Sequence, residues 1–296
     1  MLGGILAPLT TPFDPETGDV APLALRRMAR DLIAAGLDGV VVAGSTGESA
    51  LLDEAEKVRV VEWLREVVPE DRWLVAGTGA ESTRAAVRLA LAAAAAGADA
   101  VLVRPPSYFS ALLSPWAFAD HYRRVADASP VPVIVYNIPK YTHVMLQDST
   151  LRALADHERI VGFKDSSGDL KVFAGFRAAL PRAVALVGAG ALLYPALEMG
   201  AAGGIVGVAC FAPTVCAELL AAFRAGDLVA AGARQERLTP LHKDIIVALG
   251  PAGVKAAMEA IGLPGGPVRA PLQPLDAKQR ARVADLVAAA GLAAAA

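Results

Sequence analysis

Short apolar runs of four to six residues alternate along the chain with longer stretches in which apolar positions recur every three or four residues. The short runs are almost continuously hydrophobic and rich in valine and isoleucine, the pattern of parallel strands buried on both faces. Strands are expected at Ile5–Thr10, Gly39–Ala43, Trp73–Ala76, Ala100–Val103, Val131–Tyr136, Ile160–Lys164, Val184–Val187 and Gly204–Val208. Helical periodicity follows each of them: Pro22–Ala35, a helix opening near Asp53, Thr83–Ala96, Pro115–Ala126, Ser149–Ala155, Leu170–Leu180, Leu192–Met199 and Pro213–Ala225. Asp53 followed by Glu56 has the spacing of a capping box, which fixes where the second helix begins. Eight consecutive strand–helix units predict an α/β fold closed into a (β/α)8 TIM barrel. A doubly wound sheet is the main competitor, and the lack of a dinucleotide fingerprint counts against it.

Beyond the last unit, residues 226–296 read as a helical extension packed on the barrel of residues 1–225. Its helices are expected at Leu228–Ala248, Gly253–Ile261 and Ala277–Ala290, with a Pro/Gly-rich connection, Leu263–Pro271, that no helix accommodates. The terminal Ala293–Ala296 is expected to fray. At 296 residues the chain is about twice the usual domain length of ~150, yet the barrel absorbs most of it.

Composition narrows the class further. With 55% hydrophobic and 20% charged residues the chain is too apolar to be disordered. A formal charge of −2 leaves no electrostatic footprint for nucleic acid or an anionic membrane. The most membrane-like run, Leu89–Ala98, closes at Asp99, well short of the ~20 residues needed to span a bilayer. The first residues lack a basic region and meet a proline at Pro8, unlike a secretory signal, so a cytoplasmic location is expected. Cys210 and Cys216 have neither metal spacing nor disulfide density and read as buried free thiols.

In such a barrel, chemistry is built where the strands end. The sixth strand ends in Lys164. Removal from water disfavours an ammonium ion and favours the free amine that attacks a carbonyl to form a Schiff base. The fifth strand ends in Tyr136; neighbouring strands lie about 4.8 Å apart, so a phenol there is within reach of Lys164 as a proton relay. After the second strand, Gly44-Ser45-Thr46-Gly47-Glu48-Ser49 offers two hydroxyls and exposed amides as a neutral anion cradle, without the lysine of a nucleotide-binding loop. No metal-spaced cluster of His, Asp or Glu and no nucleophile elbow is present. Of the four histidines, only His143 is expected near the barrel mouth.

The motifs GSTGES (44–49), YNIP (136–139) and GFKDSSGD (162–169), in that order, resemble the dihydrodipicolinate synthase/N-acetylneuraminate lyase superfamily. The similarity extends through PLTTPF (8–13), GTGAEST (77–83) and GGPVRAPL (265–272), covering essentially the whole chain. The resemblance implies a barrel with a helical C-terminal region, a homotetramer built as a dimer of dimers, and pyruvate-type chemistry through a lysine Schiff base with no metal or organic cofactor. It marks Lys164 as the Schiff-base lysine and Tyr136 as the proton-relay tyrosine. Thr46 would bond the carboxylate of a 2-oxo acid, and Ser45 would link it to the tyrosine. Gly44, Gly47, Ser166, Gly188 and Val206 fall where the family surrounds its small substrate. Either Tyr108 or Phe109 matches an aromatic residue passed across a subunit interface.

One departure bears on substrate. True dihydrodipicolinate synthases carry an arginine two residues after YNxP, and here Tyr141 stands in its place. A phenol does not replace a bidentate carboxylate binder. The motifs GGPVRAPL and KDSSGD, with the Pro105–Phe109 loop, instead look like the 4-hydroxy-2-oxoglutarate aldolase side, which also includes aldolases and dehydratases of 2-keto-3-deoxy sugar acids. The expected activity is therefore an aldolase-type lyase of a 2-oxo acid, ahead of dihydrodipicolinate synthase, a dehydratase, or a barrel that binds an oxo acid without turnover. Lys140, Tyr141, His143 and Arg104 are expected contacts for the distal end of the substrate.

Overall fold

A computed structural model describes residues 2–292. Eight strands pair in parallel and in chain order to form a closed barrel: β1 (Gly4–Pro8), β2 (Gly39–Val42), β3 (Trp73–Gly77), β4 (Ala100–Val103), β5 (Val133–Asn137), β6 (Ile160–Asp165), β7 (Val184–Val187) and β8 (Gly203–Ile205). β8 returns to β1 with Gly203 opposite Gly4. Alternation along each strand sorts side chains between two cores. Leu6, Val41, Val75, Leu102, Ile134 and Leu186 fill the barrel, while Ile5, Val40, Val101, Val135 and Val187 face the surrounding helices. Burial on both faces is why the strands read as unbroken apolar runs.

The outer layer consists of α1 (Pro22–Ala34), α2 (Glu54–Arg65), α3 (Thr83–Ala95), α4 (Pro115–Ala128), the short α5 (Pro139–Thr142) and α6 (Asp148–Arg152), α7 (Leu170–Ala179), α8 (Leu193–Glu198) and α9 (Pro213–Arg224). The capping box forms as expected: Asp53 accepts from the Glu56 N–H at 2.7 Å and Glu56 accepts from the Asp53 N–H at 3.0 Å. The eighth strand is shorter than the expected Gly204–Val208. The chain leaves the sheet after Ile205 and turns through a 3-10 segment, Gly207–Cys210, where the Cys210 thiol donates to the Pro8 carbonyl at 3.1 Å. Both cysteines are free and buried.

After α9 the chain forms α10 (Leu228–Leu241), α11 (Ala248–Ala260) and α12 (Ala277–Ala289), with α10 against α9 and α12 against α11. The sequence pattern reads residues 228–248 as one helix, but a π-helical stretch, His242–Val247, interrupts it. Pro251 then excludes the helical conformation at the residue before it, and Gly250 adopts φ 58° and ψ −146°. Residues 263–271 are non-helical, as the prolines and glycines require. The expected fraying of Ala293–Ala296 lies outside the described residues. Among the described residues no helix is long and apolar enough to cross a membrane.

Candidate active site

The site begins with the register of β5 on β6, which sets Tyr136 opposite Lys164 and Asn137 opposite Asp165. Phe163 points outward and packs on Phe173 and Phe176 of α7 at 5.6 and 5.8 Å between ring centroids. Alternation then turns Lys164 into the barrel mouth. The Lys164 amine stands 4.1 Å from the centroid of the Tyr136 ring, and both residues are buried. Outward again, the buried Asp165 carboxylate accepts from Asn137 Nδ2 at 2.7 Å and from the Ser167 hydroxyl at 2.7 Å. Burial raises the Asp165 pKa against the pull of these bonds. The bonds fix the turn that carries Ser166 past Lys164.

Above the two residues opens a pocket of about 200 Å³. Ser45 and Thr46 line it from the loop after β2, Ser166 and Gly188 from the ends of β6 and β7, and Tyr141 and Lys140 from α5. The Gly188 backbone passes so close that a Cβ would collide with the Ser166 side chain and stand 3.0 Å from Lys164 Cε. The hydroxyl loop is tightly turned. A Cβ on Gly47 would meet the Leu9 carbonyl at 2.8 Å, and Glu48 takes a left-handed φ of 58°. Neither Gly44 nor Gly47 lines the pocket, and Gly47 serves the close approach of the loop to Leu9.

Not all of the expected contacts line the pocket. Val206 faces the outer core, and Ile205, one residue earlier, lines the pocket, because strand alternation sends them to opposite faces. His143 caps α5 in a left-handed conformation and is exposed away from the pocket. The histidine at the mouth is instead His242, from the π-helical stretch. Its Nδ1 lies 3.2 Å from the Gly190 N–H and accepts from it, which leaves the proton of the neutral ring on Nε2. Burial, with the positive charges of Lys140 and Lys243, lowers its pKa to about 4. Arg104 turns aside to pair with Glu81 at 2.9 Å and to donate to the Pro105 carbonyl. Tyr108 and Phe109 are 81% and 64% exposed, stacked edge-to-face outside the pocket. Lys140 lines the pocket but donates to the Val247 carbonyl at 2.7 Å, at the end of the π-helical stretch.

Among the described residues no group of three or more His, Cys, Asp or Glu is placed to hold a metal ion. The arrangement offers an amine, a phenol beside it and a pair of hydroxyls within one small cleft. That set suits covalent capture of a carbonyl flanked by a carboxylate.

Residues 1–290 match the model of the dihydrodipicolinate synthetase family. The chain is 41% identical over 293 residues, 98% of its length and 93% of the relative's, to 4-hydroxy-tetrahydrodipicolinate synthase 1 of Streptomyces coelicolor. It is 39% identical over 286 residues, 96% of its length and 93% of the relative's, to an uncharacterized DapA-like lyase of Halobacterium salinarum. Among solved structures it is similar to YagE of E. coli K12, a prophage protein determined in complex with pyruvate, with a TM-score of 0.94, 28% identity and 99% of each chain covered.

Proposed function

The chain belongs to the dihydrodipicolinate synthetase family and is a class I lyase, and we propose on that premise that it makes or breaks a carbon–carbon bond to pyruvate or a closely related 2-oxo acid held as a Schiff base on Lys164. The observation that carries this reading is the placement of the Lys164 amine 4.1 Å from the Tyr136 ring at the floor of the pocket that Ser45 and Thr46 line. The amine adds to the 2-oxo carbon, and loss of water from the carbinolamine gives an iminium. Loss of a proton from C3 gives an enamine, with the iminium nitrogen taking the electron pair. The enamine carbon then attacks an aldehyde, whose oxygen takes up a proton, and water releases the product from the lysine. The electron sink is the iminium itself, so this route calls on no metal or organic cofactor.

Tyr136 moves protons during carbinolamine formation and collapse. Thr46 and Ser45 bond the carboxylate, with Ser45 linking the cradle to the phenol. Gly188 and Ser166 bound the small cavity around the amine, and Tyr141 with His242 meets the distal end of the partner. Tyr141 in place of an arginine favours 4-hydroxy-2-oxoglutarate or a 2-keto-3-deoxy sugar acid as the aldol. A second reading, 4-hydroxy-tetrahydrodipicolinate synthase, is favoured by the 41% identical relative of that name. The exposed Tyr108 and Phe109 support subunit contact, consistent with a homotetramer, and the free thiols with a cytoplasmic enzyme.

Borohydride treatment with pyruvate, read by intact mass, is expected to leave a reduced pyruvate adduct that Lys164→Ala abolishes. No adduct, or one that survives that substitution, would overturn the Schiff-base assignment. A panel of aldehydes with pyruvate then separates the substrates. Fastest turnover with aspartate semialdehyde would establish the second reading over the first.

A further inference from the structure

Two residues after Thr46 in the chain, Glu48 carries a carboxylate into a site with no solvent access. Its Oε1 lies 2.6 Å from Lys255 Nζ, and the lysine side chain is itself only 2% exposed. Its Oε2 accepts the backbone N–H of Arg269 at 2.9 Å. Neither partner belongs to the barrel: Lys255 is on α11 and Arg269 is in the non-helical connection before α12.

These partners are anchored in turn. Lys255 also donates to the Pro267 carbonyl at 2.6 Å. The Arg269 guanidinium makes two bonds of 2.7 Å to Glu56 and reaches the carbonyls of Gly18 and Leu51 at 2.7 and 2.9 Å. Phe13 packs against both cations, its ring centroid 4.5 Å from Lys255 Nζ and 4.2 Å from the Arg269 guanidinium carbon. On the barrel side, Thr11 donates to the Gly47 carbonyl at 2.7 Å. The loop is thus held at residue 47 by β1's extension and at residue 48 by the C-terminal segment.

A buried ion pair is weak evidence for stability, because desolvation offsets its attraction. Its best-attested use is to select one arrangement among several, and here the arrangement includes a left-handed non-glycine residue that the chain would otherwise avoid. The Glu48 side chain has one place to go, and Thr46 and Ser45 are two and three residues away from it.

We propose that Glu48, clamped by Lys255 and the Arg269 N–H, is a positioning residue that sets where Ser45 and Thr46 meet the oxo-acid carboxylate. The C-terminal extension thereby controls substrate affinity in the barrel. This rests on the reading of Ser45 and Thr46 as the carboxylate cradle. Glu48 touches no reacting atom, so its loss changes affinity more than the Schiff-base step.

The experiment measures borohydride trapping against pyruvate concentration in wild type, Glu48→Gln, Glu48→Ala and Lys255→Met, with melting temperature recorded for each. Glu48→Gln keeps the volume and an acceptor for Arg269, so it is the variant expected to fold. Its half-saturating pyruvate concentration is expected to rise about tenfold, with trapping at saturation within twofold of wild type, and Glu48→Ala is expected to shift further. Lys255→Met leaves a carboxylate buried without its cation; if it does not fold, the double variant Glu48→Gln/Lys255→Met restores charge balance and is expected to fold with raised half-saturation. A folded Glu48→Gln with a lowered melting temperature and an unchanged half-saturating concentration would reduce the pair to a structural role and overturn the proposal. Absence of any adduct in wild type would overturn the Schiff-base reading and this inference together, an outcome distinct from wild-type trapping with unaltered Glu48→Gln.

Discussion

Lys164 and Tyr136 stand directly opposite each other on adjacent strands, and the lysine amine lies 4.1 Å from the centroid of the tyrosine ring. Two strand ends thus deliver a nucleophile and a proton-transfer group without help from any loop, so their separation is set by sheet geometry. Tyr136→Phe keeps the ring and removes the phenol. Turnover is expected to fall by about 10²–10⁴, the usual contribution of a positioned proton-transfer group. Borohydride trapping should persist at a reduced rate, since the amine is untouched. Single-turnover trapping beside steady-state turnover checks the split, and a variant within threefold of wild type in both would remove Tyr136 from the proton relay.

Gly188 makes a second, steric prediction. A methyl group there would collide with Ser166 and stand 3.0 Å from Lys164 Cε. Ser166 has a short side chain that can rotate, whereas the lysine stem fills the barrel mouth. Gly188→Ala is therefore expected to fold, with melting temperature within a few degrees, and to lower the trapping rate at least tenfold by displacing the amine. Wild-type trapping in the alanine variant would mean that the stem yields without consequence.

These two residues mark what was legible in the sequence. The barrel and its eight units follow from periodicity, because parallel strands must be apolar throughout. Strand-end position makes Lys164 and Tyr136 candidates, and their roles as Schiff-base lysine and proton relay are what the family resemblance implies. The misses have local causes. Assigning Val206 rather than Ile205 to the pocket is a one-residue error, and alternation turns one residue into the opposite face. His242 escaped notice because its position depends on a π-helical stretch that apolar spacing does not reveal. The Glu48–Lys255 pair joins residues 207 positions apart. Its one local signal is a lysine among apolar neighbours in Val254-Lys255-Ala256-Ala257-Met258.

The loop bearing Tyr108 and Phe109 has one prominent anchor. Glu81 accepts the N–H groups of Ser107 and Tyr108 at 2.8 and 2.9 Å and the Ser107 hydroxyl at 3.0 Å. Burial pushes the Glu81 pKa up, but these bonds and the Arg104 guanidinium win and hold it at about 2. The anchor is therefore complete above the ordinary carboxylate value of 4.5 and is lost only as pH falls toward about 2. Glu81→Ala is expected to raise amide hydrogen exchange at Ser107 and Tyr108 at neutral pH and to weaken subunit association if those aromatics form the contact. Unchanged exchange at both amides would show that the loop is held elsewhere.

Histidine burial gives the fold a pH dependence whose sign can be worked out. His121 is 3% exposed, with Nδ1 2.9 Å from the Thr83 hydroxyl, and burial, reinforced by the charge of Arg104, lowers its pKa to about 4 from the ordinary 6.5. Between those values the unfolded chain binds more protons than the folded one, so stability rises with pH across the window. Its contribution is whole above pH 6.5 and is progressively lost as pH falls to about 4. At about 1.4 kcal/mol per pH unit the span is worth about 3 kcal/mol. His242, also held near 4, acts in the same direction. The melting temperature is expected to fall between pH 7 and pH 4.5 more steeply in wild type than in His121→Gln, which has no ring to protonate. The glutamine variant is expected to start lower at pH 7, having lost the packing of the imidazole against Tyr122. Equal slopes in the two proteins would assign the acid sensitivity to other groups.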